Sequence, residues 1–275
     1  DAVLDECGEC GGAGIMEGAC DCDGNVVDEC GVCGGDGSSC ADTEFLVCGD
    51  DIGYEGYNYS TVQIGDQCWF SENCRYLPKL RNLSQSAGSS TQPRYYVYGY
   101  EGTDIEAAKA TYNYATYGVL YNWPAVMNEG WETVSGGEPL TILGICPSGW
   151  HIPSDEEFTE LTDFLGGESV AGGKMKEAGY DHWDSPNTGA TNSSGWTGLP
   201  GGYYDVIEFY NPWFLYMNSS GSWWTTSESD TSGPYAGRSV SRKLSSDYEE
   251  VILTDHWRYS GLSARCVQDY TDECG

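Results

Sequence analysis

Seven of the thirteen cysteines in this 275-residue chain fall within its first 43 residues. They recur in a signature, DECGECGGAG at residues 5–14 and DECGVCGGDG at residues 28–37. Cytosolic glutathione keeps thiols reduced, so cysteine at this density and regularity predicts disulfides and an oxidising compartment. Zinc is the competing use, because Cys7-x2-Cys10 and Cys30-x2-Cys33 have zinc-ribbon spacing. The Gly and Asp around them, the lack of Lys or Arg, and Cys20-x-Cys22 break the ribbon pattern and favour disulfides. An odd count leaves at least one cysteine without a partner in this chain. Cys274 is the expected one, since Asp272-Glu273-Cys274-Gly275 opens the same signature again. We therefore expect a repeating architecture in which Cys274 links one module to the next.

The formal net charge is −31, and residues 1–43 hold eleven Asp or Glu with no Lys or Arg. Binding to a nucleic-acid backbone is excluded, because its affinity comes from Lys and Arg neutralising phosphates. Anionic membranes are disfavoured for the same reason. Bound cations or a cation-rich medium fit this balance. No stretch approaches the roughly 20 apolar residues of a membrane span, so no direct membrane insertion is expected. Four N-x-S/T sequons occur, at Asn58, Asn82, Asn192 and Asn218.

Composition shifts near residue 43. Before it there are no aromatic residues and few aliphatic ones, Val26-Val27 among them; all 37 aromatics follow. Residues 1–43 cannot build an apolar core and read as an acidic, cysteine-rich spacer arm held by covalent staples and ions. Residues 44–270 are long enough for one globular domain, and 271–275 begin a following spacer. Within that domain Ser154-Asp155-Glu156-Glu157 is a capping box. Phe158, Leu161, Phe164 and Leu165 then repeat at helical spacing until Gly166-Gly167. A second helix is predicted over 103–115 from Thr103-x-x-Glu106, and a third over 169–178, weakened by Gly172-Gly173. Short strands are predicted at about 60–70, 94–99, 203–210, 213–217, 222–227, 236–243, 249–254 and 262–268. Few helices among many short antiparallel strands argue an α+β fold with the helices against one side of the sheets.

Several segments match one family block by block. They are TVQIGDQCWFSEN (61–73), YGVLYNWPAV (117–126), ICPSGWHIPSDEEFTELTDFLGG (145–167), GWTGLPGGYY (195–204), GSWWTTSES (221–229) and GLSARCVQD (261–269). The chain resembles the major paralogous domain first named from Fibrobacter succinogenes. Through the GWHIP…EF…L block and the SARCV strand, that family looks like a relative of the C-type-lectin-like and formylglycine-generating-enzyme folds. The DECGVCGGDG arm is similar to cysteine-rich spacers of very large bacterial surface proteins. The resemblance implies a long-range bridge between Cys146, before the helix, and Cys266 in the last strand. It also implies a Cys48–Cys68 pair bracketing the first strand. Where relatives read WFAENL, Cys74 replaces the Leu and adds an unmatched thiol.

Three constellations are candidates for chemistry. Asp21, Asp23, Asn25, Asp28 and Asp36 supply oxygens around glycine turns, as calcium prefers, although no Glu stands at the twelfth position of an EF-hand. The alternative is a solvated acidic turn. Trp223 and Trp224, followed by Thr225, Thr226, Ser227 and Glu228, could stack on a polysaccharide. Adjacent strand residues face opposite sides, so only one of the two could line such a site, and both could equally be core. The histidines at 151, 182 and 256 fall in no Ser-His-Asp or HExxH context, so no catalytic set is expected. The expected role is a secreted, cell-surface or filament-forming structural or adhesive module whose partners are copies of itself or neighbouring repeats. A carbohydrate-binding lectin is the alternative, and an oxidase of the formylglycine-generating type a further one. The reactive cysteine pair of that oxidase finds no place here, since Cys146 and Cys266 match structural positions.

Overall fold

The computed structural model describes residues 15, 19, 25–26, 47–82, 88–127, 144–207, 211–229 and 237–269. The chain divides into two units, Asp1–Val47 and Cys48–Gly275. All the strands and helices described lie in the second.

That unit begins with two tight hairpins. β1 (Ile52–Tyr54) and β2 (Tyr57–Tyr59) are joined by Glu55 and Gly56 at φ 50° and 79°. Two left-handed central residues make the turn whose twist matches antiparallel strands. β3 (Thr61–Ile64) and β4 (Gln67–Phe70) turn at Gly65-Asp66, with Gly65 at φ 63°. The expected strand at 60–70 is therefore a hairpin. β4 sits between β3 and the last strand, β13 (Val267–Gln268), in a sheet ordered β3-β4-β13 and completed by β7 (Trp150–His151). With neighbours on both edges, all four β4 residues are buried.

The larger sheet contains β8 (Gly201–Ile207), β9 (Asn211–Met217), β10 (Ser220–Glu228), β11 (Arg238–Ser245) and β12 (Ile252–Trp257). Its order is β12-β11-β10-β8-β9, with all contacts antiparallel except β8 against β10. β5 (Tyr95–Tyr96) and β6 (Leu120–Tyr121) pair separately. The described structure is mostly sheet with few helices.

Helix α4 (Asp155–Phe164) starts where the capping box predicts: Glu157 N–H donates to Ser154 Oγ at 3.1 Å and Ser154 N–H to Glu157 Oε2 at 2.7 Å. Phe158, Leu161 and Leu165 face the core, while Phe164 is 65 % exposed. At about 100° per residue, the position before Leu165 falls off the buried stripe. The predicted 103–115 helix is two helices, α1 (Ile105–Lys109) and α2 (Tyr112–Tyr117). Asp104, not Thr103, caps the first. Thr111 interrupts the run, its Oγ1 accepting from Tyr114 N–H and donating to Ala108 O. α3 (Trp123–Val126) follows β6 and is capped by Asn122. α5 spans Glu168–Met175. Its glycines are a packing requirement: a Cβ on Gly172 would stand 2.5 Å from Glu250 O, and one on Gly173 2.5 Å from Gly189 O.

The core lies between α4, α5 and the two larger sheets. Trp69, Trp183, Trp196 and Trp223 pack with Phe158, Leu161, Met175, Leu244, Val251 and Val267. Ring centroids of Trp196 and Trp223 are 4.8 Å apart, and those of Trp69 and Phe158 5.0 Å. Each such side chain contributes on the order of 1.5–3 kcal/mol by leaving water.

Candidate functional site

Two disulfides cross-link the globular unit. Cys48 at its first residue bonds Cys68 in β4, a separation of 20 residues. Cys146 bonds Cys266, a separation of 120. β4 and β13 are neighbours, registered Val267 to Trp69, and Phe70 N–H donates to Cys266 O at 3.0 Å. The first residue of the unit is thus covalently tied to β4, and the last described strand lies beside β4. Cys74 is a free, buried thiol whose Sγ lies 3.5 Å from Cys266 Sγ.

Buried cations knit the remaining segments together. Arg265 is 1 % exposed and its guanidinium lies 3.7 Å over the Trp196 ring. It donates to the carbonyls of Trp196, Thr197 and Phe70 and to Asn73 Oδ1. Burial lowers its pKa to about 9. Asn73 Oδ1 also accepts from Trp223 Nε1, while Asn73 Nδ2 donates to Tyr117 O and Ser263 Oγ. One amide therefore joins the β4 exit, α2, β10 and the last segment. Arg242 of β11 binds Asp155 and Glu168, the first residues of α4 and α5. Burial disfavours its charge, but these two carboxylates outweigh burial and raise its pKa. Acidic first turns also suit the positive ends of the helix dipoles. Lys176 is fully buried, with Nζ donating to Thr188 O, Ser245 O and Tyr248 O at 2.7–2.9 Å. Burial depresses its pKa to about 8.

Two histidines occupy opposite electrostatic settings. His151 Nδ1 is 2.6 Å from Asp269 Oδ1 and Nε2 is 2.7 Å from Glu157 Oε1. Burial works against its charge, yet the two carboxylates raise its pKa, and Glu157 is lowered through the same contact. This clasp joins β7, the capping box of α4 and the exit from β13. His256 contacts Ser241 Oγ through Nδ1 at 2.8 Å, but burial pushes its pKa down to about 4 and Ser241 is 0 % exposed. Ser241 is thus buried while the His256 ring is half-buried and held neutral.

The expected polysaccharide pair is corrected by burial. Trp223 is 1 % and Trp224 0 % exposed. They face opposite sides of β10, Trp223 Nε1 donating to Asn73 Oδ1 and Trp224 Nε1 to Tyr121 O. Both sides are covered: Trp223 packs against Trp196 in the core, and Trp224 lies against Tyr121 and the His256 ring. Exposed rings are found on the neighbouring hairpin, where Trp213 is 53 % and Tyr216 56 % exposed. Tyr203 stacks on Tyr216 at 5.5 Å. Nothing in the sequence pattern separates these rings from the buried ones.

Of the calcium candidates, Asp21, Asp23, Asp28 and Asp36 lie outside the described residues, as does Cys274; Asn25 is exposed. Among the described residues, no group of three or more His, Cys, Asp or Glu could hold a metal ion. No helix there is long and apolar enough to cross a membrane. A surface cleft of about 550 Å³ lies between the β3–β4 turn and α4, lined by Ile64, Gly65, Asp66, Glu160, Asp163 and Phe164. Sequon residues Asn58, Asn82 and Asn218 are exposed; Asn192 is half-buried and donates to Thr197 Oγ1.

These features define a mostly-sheet domain, cross-linked by disulfides and internal cations, whose first residue and last described strand both engage β4. The model of the Fibrobacter succinogenes major domain matches residues 62–268, and the chain belongs to that family. Comparison with curated proteins and with solved structures gives no match.

Proposed function

We propose that this chain is an extracellular structural or adhesive module, one that transmits tension along a repetitive cell-surface or filament-forming protein. The observation that carries the reading is a short path through the unit, covalent as far as β4 and hydrogen-bonded from β4 to β13. Load entering at Cys48 passes by its disulfide to Cys68 in β4, crosses to β13 at Trp69–Val267, and leaves after Asp269. Most of the domain lies off that path, as suits a link rather than an enzyme. The fold in this reading is C-type-lectin-like, with the bridge from Cys146 before the long helix to Cys266 beside the last strand resembling the long-range bridge of such folds. The partners are copies of the same module, and calcium is the cation we assign to the acidic arm. Electron microscopy and non-reducing mass spectrometry of native material test the proposal. Filaments or stalks with Cys274 oxidised through a neighbouring arm are expected. Monodisperse monomers at high concentration with a free Cys274 thiol would overturn it.

A polysaccharide-binding role is the second reading, favoured by the exposure of Trp213 and Tyr216 on β9. Glycan-array binding that is lost on Trp213→Ala, but kept on Lys109→Ala, would support it.

A further inference from the structure

We propose that Cys74, Cys146 and Cys266 form a thiol–disulfide exchange centre with two covalent states, one closed by Cys146–Cys266 and the other by Cys74–Cys266. In the structure Cys146 and Cys266 are bonded, and the free Cys74 Sγ stands 3.5 Å from Cys266 Sγ. The nearest disulfide sulfur is the one attacked, so Cys146 is the leaving group. Cys74 gives up its proton and its thiolate bonds Cys266 Sγ. The Cys146–Cys266 bond breaks and the Cys146 thiolate takes up a proton. One disulfide and one thiol stand on each side of this step, and no outside oxidant or reductant enters.

Neither the backbone nor chain entropy opposes the second state. Segments 70–74 and 264–266 already run side by side, with Phe70 N–H donating to Cys266 O and Cys74 N–H to Ala264 O at 2.9–3.0 Å. Cys146 stays positioned without its bond, since the preceding Ile145 is fully buried and donates to Val126 O. The two bridges span 120 and 192 residues. Closure entropy grows only with the logarithm of loop length, so it barely separates them. What holds the first state is the missing thiolate. Burial pushes the Cys74 pKa up to about 12, opposed only in part by Arg265 and Arg75. The centre is dormant while dry and becomes active when local opening admits water.

The two states differ mechanically, a consequence that rests on the tension-bearing role proposed above. With Cys146–Cys266 closed, the chain between residues 68 and 146 can pay out under load; with Cys74–Cys266 closed, only residues 68 to 74 can. Exchange would convert an extensible module into a nearly inextensible one.

Disulfide mapping after alkylation tests the chemistry independently of any filament. The intact chain is held at pH 7 and at pH 9, with and without sub-denaturing guanidinium, then alkylated and digested without reduction. We expect a Cys74–Cys266 peptide with alkylated Cys146, growing at pH 9 under partial opening and absent from Cys74→Ser. We also expect Cys146→Ser, refolded with reduced and oxidised glutathione, to form Cys74–Cys266. If that variant does not fold, the wild-type map decides alone. Cys146–Cys266 with Cys74 as the alkylated thiol under every condition would overturn the proposal. Monomers in the microscope with a positive map would overturn only the mechanical consequence.

Discussion

Pulling on the globular unit between residues 47 and 270 should release far less chain than its length contains. Oxidised, Cys48–Cys68 and Cys146–Cys266 remove the segments of 20 and 120 residues from the extensible contour. What remains is chiefly the stretch from residue 68 to residue 146, about 78 residues, which at ~3.5 Å each gives an extension near 270 Å. With both bridges reduced, the 221 residues from Cys48 to Asp269 should extend about 770 Å. Reducing only the shorter bridge, with Cys48→Ser and Cys68→Ser together, should add about 70 Å, from 20 residues at ~3.5 Å. That double variant should also lose about 3 kcal/mol, the chain entropy of a 20-residue loop, and melt roughly 6–12 °C lower. Optical-tweezers records on tandem handles read the lengths and calorimetry the melting. An oxidised extension close to the reduced one would refute the covalent path, and with it the argument for a tension-bearing link.

Further outcomes follow from the buried groups. Arg265→Met removes the Arg265 donor from three buried carbonyls and leaves Asn73 Oδ1 with Trp223 Nε1 alone, and should cost at least about 3 kcal/mol in urea unfolding; a loss under 1 kcal/mol would contradict the hub at Asn73. Tyr96 and Tyr204 stack at 4.0 Å with neither buried hydroxyl partnered among the described residues, so Tyr204→Phe should be neutral or stabilise by about 1 kcal/mol. His151 has a raised folded pKa, so its stabilisation is full below the unfolded value of about 6.5 and is lost as pH rises through the folded one. The lowered Glu157 adds stability that is present above about 4.3 and lost as pH falls through its folded pKa. The stability gap between wild type and His151→Gln should therefore peak near pH 5–6 and shrink toward pH 9. His256 acts in the opposite sense: its folded pKa of about 4 means the unfolded chain takes up a proton the fold refuses. Stability should fall by up to about 3 kcal/mol from pH 6.5 to 4, and His256→Asn should flatten that slope.

What could be read from the sequence was what is local. The Ser154–Glu157 capping box fixes the start of α4 within four residues of chain, and it stands where expected. The strands of the larger sheet follow their alternation and turn residues to within a few positions. The split at Ala110-Thr111 turns on which hydroxyl caps which turn, which hydrophobic spacing does not encode. Gly172 and Gly173 weaken a helix by propensity, yet here they admit Glu250 and Gly189 carbonyls contributed by other segments. Trp223 and Trp224 have the composition of a sugar platform. Their burial depends on Asn73, Tyr121 and Ser263, from 39 to 150 residues away in the chain. Cys74 departs from the family pattern, but its closeness to Cys266 is a property of two segments meeting 192 residues apart.

The distribution of cations gives the acidic balance a structural meaning. Of the twelve Lys and Arg in the chain, Arg75, Lys176, Arg242 and Arg265 are buried and engaged with carboxylates, carbonyls or rings. The fold thus draws a third of its positive charge inside, and its surface is more acidic than the net charge of −31 conveys. Copies of such a module repel one another wherever charges lie within a Debye length, about 10 Å at 0.1 M salt and about 3 Å at 1 M. An assembly of these modules must therefore be covalent, cation-bridged or formed in concentrated salt. Light scattering on the intact chain can tell these apart. If calcium in the arm bridges neighbours, millimolar calcium should raise the apparent mass at 0.1 M sodium chloride, where the same ionic strength of sodium should not. A chelator should reverse the change while leaving residues 48–269, which have their own core, resistant to protease. Equal responses to calcium and sodium would reduce the arm to a screened polyanion, and no change with either would leave disulfides through Cys274 as the means of joining modules.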